Sequence, residues 1–237
     1  MRACAAAAAI LLLAALVRAQ KATDRAIELR SPGGRIALRV RLPAAGSAEV
    51  PRWSLAVDGA TLLDGGRLGL TIEGDGELFA GAVAQVVASR VHDERIPVSF
   101  GKADHARDRF GEGRVVCAAP GRVPVHLVLR AYDDAIAFRY EIPAAPARAE
   151  LRVLAEGTSF GVTGRPTIHT QFLEHFRSSH EYVVRETPFA ELPAGQLLDV
   201  PLTITRYDGP VLSITEAALV RWAGMSLRRD GDSHELA

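Results

Sequence analysis

The residues best suited to chemistry gather between positions 169 and 191. His169 precedes a stretch from Thr170 to Glu191 that holds Glu174, His175, His180, Glu181, Tyr182, Arg185 and Glu186, with Phe172 and Phe176 at helical spacing. Histidine and glutamate side by side can work as general acid and base. Three histidines also suggest a metal, but their spacing matches neither the i, i+4 pair of a helical zinc site nor the i, i+2 pair of a strand. A polar, aromatic stretch of this length reads as a binding loop, or more plainly as a solvated connection. Adjacent carboxylates occur at Asp93-Glu94 and Asp133-Asp134. Two neighbours on one turn cannot flank a sugar bond, which needs carboxyls from separate elements roughly 5 to 9.5 Å apart. Glu216 follows Thr215, and on residue types alone Thr215 caps a short turn whose dipole Glu216 complements.

The elements that position these groups read as strands. Ile27–Arg30 and Arg35–Leu42 alternate apolar and polar residues around Ser31-Pro-Gly-Gly34, the pattern of a hairpin with one wet face. Trp53–Val57 turns at Asp58-Gly59, and Leu68–Glu73 turns at Gly74-Asp-Gly76. Val83–Val91, Arg114–Ala118, Val123–Ala131, Ile136–Ile142, Leu197–Arg206 and Val211–Ile214 continue the series. Short strands punctuated by glycine and proline predict a large antiparallel sandwich. Arg95–Gly113, charged and poor in apolar residues, predicts an exposed excursion between strands.

Several classes drop out. The 28 basic and 28 acidic residues balance and interleave, so no polyanion-binding face is expected and nucleic acid is not a partner. No phosphate-binding P-loop, dinucleotide fingerprint, HExxH pair or GxSxG elbow is present. Met1-Arg2, an apolar run from Ala3 to Leu16 and Val17-Arg18-Ala19 have the three parts of a cleavable export signal. The expectation is a signal peptide over 1–19, a mature domain over 20–237 and a periplasmic or secreted location. The apolar run is shorter than the roughly 20 residues that span a bilayer, so no membrane span is expected in the mature chain. Cys4 leaves with that peptide, and Cys117, inside an apolar run, reads as a core residue rather than a nucleophile.

Two longer segments are more specific. Leu129-Arg-Ala-Tyr-Asp-Asp-Ala-Ile-Ala-Phe-Arg-Tyr-Glu-Ile142 and Leu212-Ser-Ile-Thr-Glu-Ala-Ala-Leu-Val-Arg-Trp-Ala-Gly-Met225 closely resemble the best-marked parts of the N-terminal domain of glycoside hydrolase family 97. Ser31-Pro-Gly-Gly34, Leu68-Gly-Leu70, Phe100-Gly101, Arg107-Asp108, His180-Glu-Tyr182 and Thr187-Pro188 support the match in the same order, over roughly residues 27 to 230. The family comprises exported α-glucosidases and α-galactosidases. The resemblance implies an all-β fold, a large antiparallel β-super-sandwich of the galactose-mutarotase-like type. It also implies a partner absent from this chain, a (β/α)₈ barrel that carries the catalytic carboxylates and takes about 250 residues. The sandwich appears cut short after Met225-Ser-Leu227, as in a truncated or split member of the family.

The resemblance further implies that Glu216 reaches the domain interface as one carboxylate ligand of Ca²⁺, whose other ligands lie in the barrel. Substrate contacts to an α-glucoside or α-galactoside are expected from His175, His180, Glu181 and Tyr182. Three roles follow: a non-catalytic accessory sandwich, a free-standing sugar-binding module if the aromatics face solvent, or a mutarotase-type epimerase using His169 and Glu174. A docking domain should carry Glu216 and the 170–191 stretch at one end, with Glu216 exposed and no lysine or arginine compensating it. A sandwich without its last strands should also expose unpaired edges and aggregate readily. On the accessory reading the chain alone does not cleave aryl α-glucosides or α-galactosides, with or without added Ca²⁺. Turnover above a buffer blank that disappears in Glu216→Ala is the result that would overturn it.

Overall fold

In a computed structural model of the chain, the structure describes residues 26–144, 150–220, 222–231 and 233–237. The expected signal peptide, 1–19, lies outside the described residues. The first sheet is a meander of β1 (Ala26–Arg30), β2 (Ile36–Arg41), β3 (Arg52–Val57) and β4 (Ala60–Arg67), each antiparallel to the next. Period-two patterning sets its faces: Ile36, Leu38 and Val40 point into the core while Arg39 and Arg41 stay in water. Asp58 and Gly59 both take positive φ, 50° and 85°, the twisted turn that suits a two-residue hairpin. At the other hairpin, the Gly33 N–H donates to Asp133 Oδ1 at 2.5 Å, tying this sheet to the next. That backbone hydrogen bond, more than the nearby Arg109, holds the Asp133 carboxyl below its ordinary range.

Then come β5 (Leu70–Ile72) and β6 (Gly76–Glu77), followed by the second large sheet of β7 (Val83–Pro97), β8 (His105–Ala118), β9 (Val125–Tyr132) and β10 (Ile136–Glu141). Its inner face brings Val115, Cys117, Leu127, Leu129 and Ala131 into the same core as the first sheet. Cys117 is buried as expected, and desolvation pushes its thiol up to about 11. Arg95–Gly113 is not a loose excursion. It is the outer half of the β7–β8 hairpin, paired continuously to Pro97↔His105, and only 98–104 forms its turn. The alternation fails there because β9 covers β8 only from Phe110 onward, so both faces beyond it meet water. Cross-strand ion pairs such as Arg107 with Asp93 at 2.7 Å replace apolar contacts. On the outer face Glu112 accepts from Arg90 at 3.0 Å and Arg130 at 2.9 Å, and Arg130 lies 4.1 Å from the Phe110 ring centroid.

The remaining strands are short. β11 (Val153–Glu156) extends the sheet of β5 and β6, and β12 (Phe160–Gly161) pairs with β18 (Glu235–Leu236). The last sheet runs β14 (Val184–Pro188), β13 (Thr167–Leu173), β16 (Leu202–Thr205), β17 (Leu212–Ile214), with β15 (Leu197–Leu198) also on β13. The segment beyond Leu227, expected to lack closing strands, supplies β18, and Leu227 and Leu236 are both core residues. Among the described residues the only helical turn is a 3₁₀ turn at Phe189–Glu191, and no helix is long and apolar enough to cross a membrane.

The sheets meet where residues 158–162 pass over β4. Trp53 lies between Phe160 and Phe138, both at 5.5 Å between ring centroids, and its indole N–H donates to the Ser159 carbonyl at 2.9 Å. A Cβ on Gly161 would stand 1.7 Å from the Asp64 carbonyl oxygen, and one on Gly66 2.5 Å from that of Ser159.

Gly161→Ala is therefore expected to cost at least about 3 kcal/mol, since the obstacle is backbone and cannot rotate away. Gly113→Ala, whose Cβ would find nothing closer than 3.9 Å, serves as the control and should stay within about 1 kcal/mol. Urea melts of both variants check this. For Glu112, burial opposes the charge but the hydrogen bonds from Arg90 and Arg130 outweigh it, so its carboxyl titrates below the ordinary range. Its contribution is thus present above about pH 4.3, the unfolded value, and is lost as pH falls through the lower folded value. Glu112→Gln should cost about 1–2 kcal/mol near neutrality, a figure reduced for the water around Arg90, and the gap to wild type should close in melts below about pH 4.

Candidate functional site

The expected loop is partly strand. Thr170–Leu173 belongs to β13 and Val184–Pro188 is β14, leaving 174–183 as the connection. No helix forms around Phe172 and Phe176. Phe172 stays on β13 with the Arg185 guanidinium 4.9 Å from its ring centroid, while Phe176 is 78% exposed at the loop tip. The loop folds on itself through Ser178 Oγ, which accepts from the backbone N–H groups of Glu174 and His175 at 3.1 and 3.0 Å. It is tied to β13 by the Tyr182 N–H, which donates to Gln171 Oε1 at 2.6 Å.

The three histidines part company. His169 Nε2 meets Thr205 Oγ1 at 2.9 Å on the strand face, and His175 Nδ1 accepts from the Arg177 N–H at 3.1 Å. His180 Nδ1 lies 2.8 Å from both carboxylate oxygens of Asp199. Among the described residues no group of three histidine, cysteine or carboxylate side chains is placed to hold a metal. His169 and Glu174 are five positions apart along extended chain, roughly 16 Å, and His169 is turned to Thr205, so they form no acid–base pair. The epimerase reading loses its candidate residues.

Sequence reasoning missed Asp199. It sat inside an expected strand from Leu197 to Arg206, which the structure splits into β15 and β16 because Pro201 has no N–H to give a ladder. Asp199 is buried, and besides His180 it accepts the Val200 N–H at 2.9 Å. A carboxylate between apolar neighbours must find donors, and that was the available signal.

Register places Glu216 and the loop together. Ile168 opposes Ile204, Leu202 opposes Ile214, and Gln171 opposes Val184. The C-terminal ends of β13 and β17 and the start of β14 therefore share one end of this sheet, with β13 and β17 two strand spacings apart, about 10 Å. Glu216 is half-buried rather than exposed, and Thr215 caps no helix. Glu216 Oε2 accepts the Met225 N–H at 2.6 Å, and among the described residues no lysine or arginine pairs with it. Between these two residues Leu219 and Val220 are exposed, and the Trp222 N–H donates to Glu156 Oε2 at 3.1 Å. Phe176, Tyr182, Val183 and Val184 add apolar surface along the loop. Glu181 is exposed beside them.

Stacked antiparallel sheets with no catalytic cluster among the described residues, and an end where Glu216 has no cationic partner among those residues, define a β-sandwich. The chain belongs to the glycosyl-hydrolase 97 N-terminal family, whose model matches residues 29–236. It is 26% identical over 217 residues to a Streptomyces bingchenggensis protein named "Probable retaining alpha-galactosidase", covering 89% of this chain and 33% of that one. Its fold matches a family 97 enzyme of Pseudoalteromonas sp. strain K8 bound to acarbose, with a TM-score of 0.75, 23% identity and coverage of 89% of this chain and 31% of that chain. A β-arabinopyranosidase matches with a TM-score of 0.71 and 16% identity over 89% of this chain and 34% of that one. The chain thus spans about a third of the length of these relatives.

Glu216→Gln keeps an oxygen for the Met225 N–H and should leave the melting temperature nearly unchanged. Glu216→Ala leaves that N–H without its partner and should cost about 1 kcal/mol, which differential scanning calorimetry checks.

Proposed function

We propose that the chain is the non-catalytic N-terminal sandwich of an exported α-glycoside hydrolase. It docks on a (β/α)₈ barrel and gives that barrel's Ca²⁺ one carboxylate ligand, Glu216. The observation that carries this reading is the shared end: Glu216, whose Oε1 has no partner among the described residues, lies at the same end of the sheet as the exposed Leu219, Val220, Phe176 and Val183. A charge without a counterion beside apolar surface is costly in a solitary module, whereas a cation at an interface offsets its desolvation. The described residues offer one carboxylate where Ca²⁺ takes six to eight oxygens, so Glu216 fits as a contributor and not as a site. The ion would supply positive charge at the interface, and the chain's own part is to hold Glu216 in place through Met225.

His175, His180, Glu181 and Tyr182 lie on the loop at that same end and are the residues we assign to sugar contacts. The name of the Streptomyces relative, a probable retaining alpha-galactosidase, supports the α-galactoside alternative. A second reading, a free-standing sugar-binding module, is favoured by the exposure of Phe176 and the 38% exposure of Tyr182 beside His180 and Glu181.

Residues 20–237, mixed with a family 97 barrel lacking its own N-terminal sandwich, should associate in titration calorimetry, and chelation of Ca²⁺ should weaken the complex. Glu216→Gln should weaken it about tenfold or more with Ca²⁺ present and make it indifferent to chelator. Failure to associate, together with millimolar or tighter binding of maltose or melibiose by the chain alone, would put the binding-module reading ahead.

A further inference from the structure

At this end Asp199 and His180 join a buried charge to an exposed ring. Asp199 is 5% exposed, whereas the His180 side chain is 65% exposed. Asp199 is held by side chain and backbone alike. Its carboxylate accepts the Val200 N–H at 2.9 Å, its backbone N–H donates to the Gln171 carbonyl at 3.0 Å, and its backbone carbonyl accepts from Thr170 Oγ1 at 2.7 Å. An ionised carboxylate is acceptor only, so the imidazole nitrogen 2.8 Å from both of its oxygens carries the hydrogen. In the neutral ring that leaves Nε2 as a bare lone pair. Nε2 has no partner among the described residues.

From this geometry we propose that Asp199 is a positioning residue. It fixes His180 as the Nδ1–H tautomer, so that Nε2 faces outward as a hydrogen-bond acceptor for a hydroxyl of an α-linked sugar. The inference rests on the carbohydrate reading of the loop. A loop staple alone needs no particular chemistry on the far side of the ring, and a side chain whose outer atom faced only water gains little from a buried carboxylate holding its tautomer. With its Nδ1–H spent on Asp199, the ring can only accept at Nε2, so a sugar hydroxyl, able to donate or to accept, engages it as the donor in one fixed direction. Carboxylates behind histidines set which nitrogen is presented, and an amide in that place allows the wrong tautomer. The neighbouring Tyr182 is placed by the same strand, through its N–H on Gln171 Oε1, so ring and phenol are held to one frame.

The test uses the ¹⁵N-labelled full chain and long-range proton–nitrogen correlation of the histidine rings at pH 8. His180 should show a protonated Nδ1 and a bare Nε2, and Nε2 should shift on titration with maltose or melibiose. Asp199→Asn, whose amide can donate to Nδ1, should move the hydrogen to Nε2 and weaken the sugar response about tenfold. A protonated Nε2 in the wild type, or an unchanged tautomer in Asp199→Asn, overturns the positioning role. A bare Nε2 that neither sugar moves overturns its role as acceptor, and leaves docking to stand or fall on the Ca²⁺-dependent association. Should Asp199→Asn fail to fold, His180→Gln, whose side-chain amide keeps a donor for the buried Asp199 but offers no imidazole lone pair, should abolish the sugar-induced shift of the Tyr182 amide. Retention of that shift overturns the proposal.

Discussion

The crossing of residues 158–162 over β4 is the contact on which the rest of the sandwich depends. Two chain segments approach there more closely than side chains permit, so Gly66 and Gly161 are required by space rather than by turn geometry. What the glycines give up in packing, Trp53 restores: it fills the gap with its ring and satisfies the Ser159 carbonyl that the crossing would otherwise strand. Ser159 then turns its hydroxyl to Glu235 at 2.6 Å, and Arg67 reaches the same carboxylate at 2.9 Å. The first sheet, the crossing segment and β18 are locked through one indole and one buried serine. Registers further along, including those that bring β13 and β17 to a common end, follow from where this crossing starts them.

The two ends of the last sheet are treated differently. Away from the loop, Arg206 reaches the Leu62 carbonyl at 2.7 Å and Thr163 the same oxygen at 2.8 Å, so that end is closed against the first sheet. At the loop end the loops are tied to strands by the Tyr182 N–H on Gln171 and the Trp222 N–H on Glu156, and the side chains left outside include Phe176, Val183, Leu219 and Val220. Apolar exposure is not confined to the loop end, since Tyr207 and Val211 between β16 and β17 are exposed too, so the two ends differ in their ties to the first sheet and not in apolar dressing.

The part of the fold legible in sequence was the part with one wet face. In β2, core and solvent positions alternate without a break, and Asp58-Gly59 announces its own turn, because local chemistry and burial agree there. The outer β7–β8 hairpin was illegible for the opposite reason: both of its faces are in water, so Asp93, Arg95, Arg107 and Arg109 carry no period. β14 failed likewise, as an edge strand whose residues are nearly all exposed. Glu216 and the loop residues stood out by type and by resemblance, yet their partners did not. Met225 acts through a backbone N–H, which no residue name reveals, and Asp199 meets His180 only because β15 lies on β13.

Glu216, Trp222 and Met225 are each held by a hydrogen bond. Glu216 accepts the Met225 N–H at its base, and Trp222 is anchored on Glu156, which in turn accepts from Thr158 Oγ1 at 2.8 Å, itself 2.7 Å from the Tyr140 hydroxyl. A chain of hydrogen bonds thus runs from a core tyrosine to a surface loop. Ordering such a loop costs conformational entropy of about 1–2 kcal/mol per residue, and Leu219 and Val220, 50% and 77% exposed, recover only part of it by burial. The fixed hydrogen bonds bear that cost in advance, so a surface settling on Leu219 and Val220 meets them already ordered and loses less on contact. Tying one oxygen of Glu216 to the Met225 N–H orients its carboxylate, and among the described residues no lysine or arginine neutralises it.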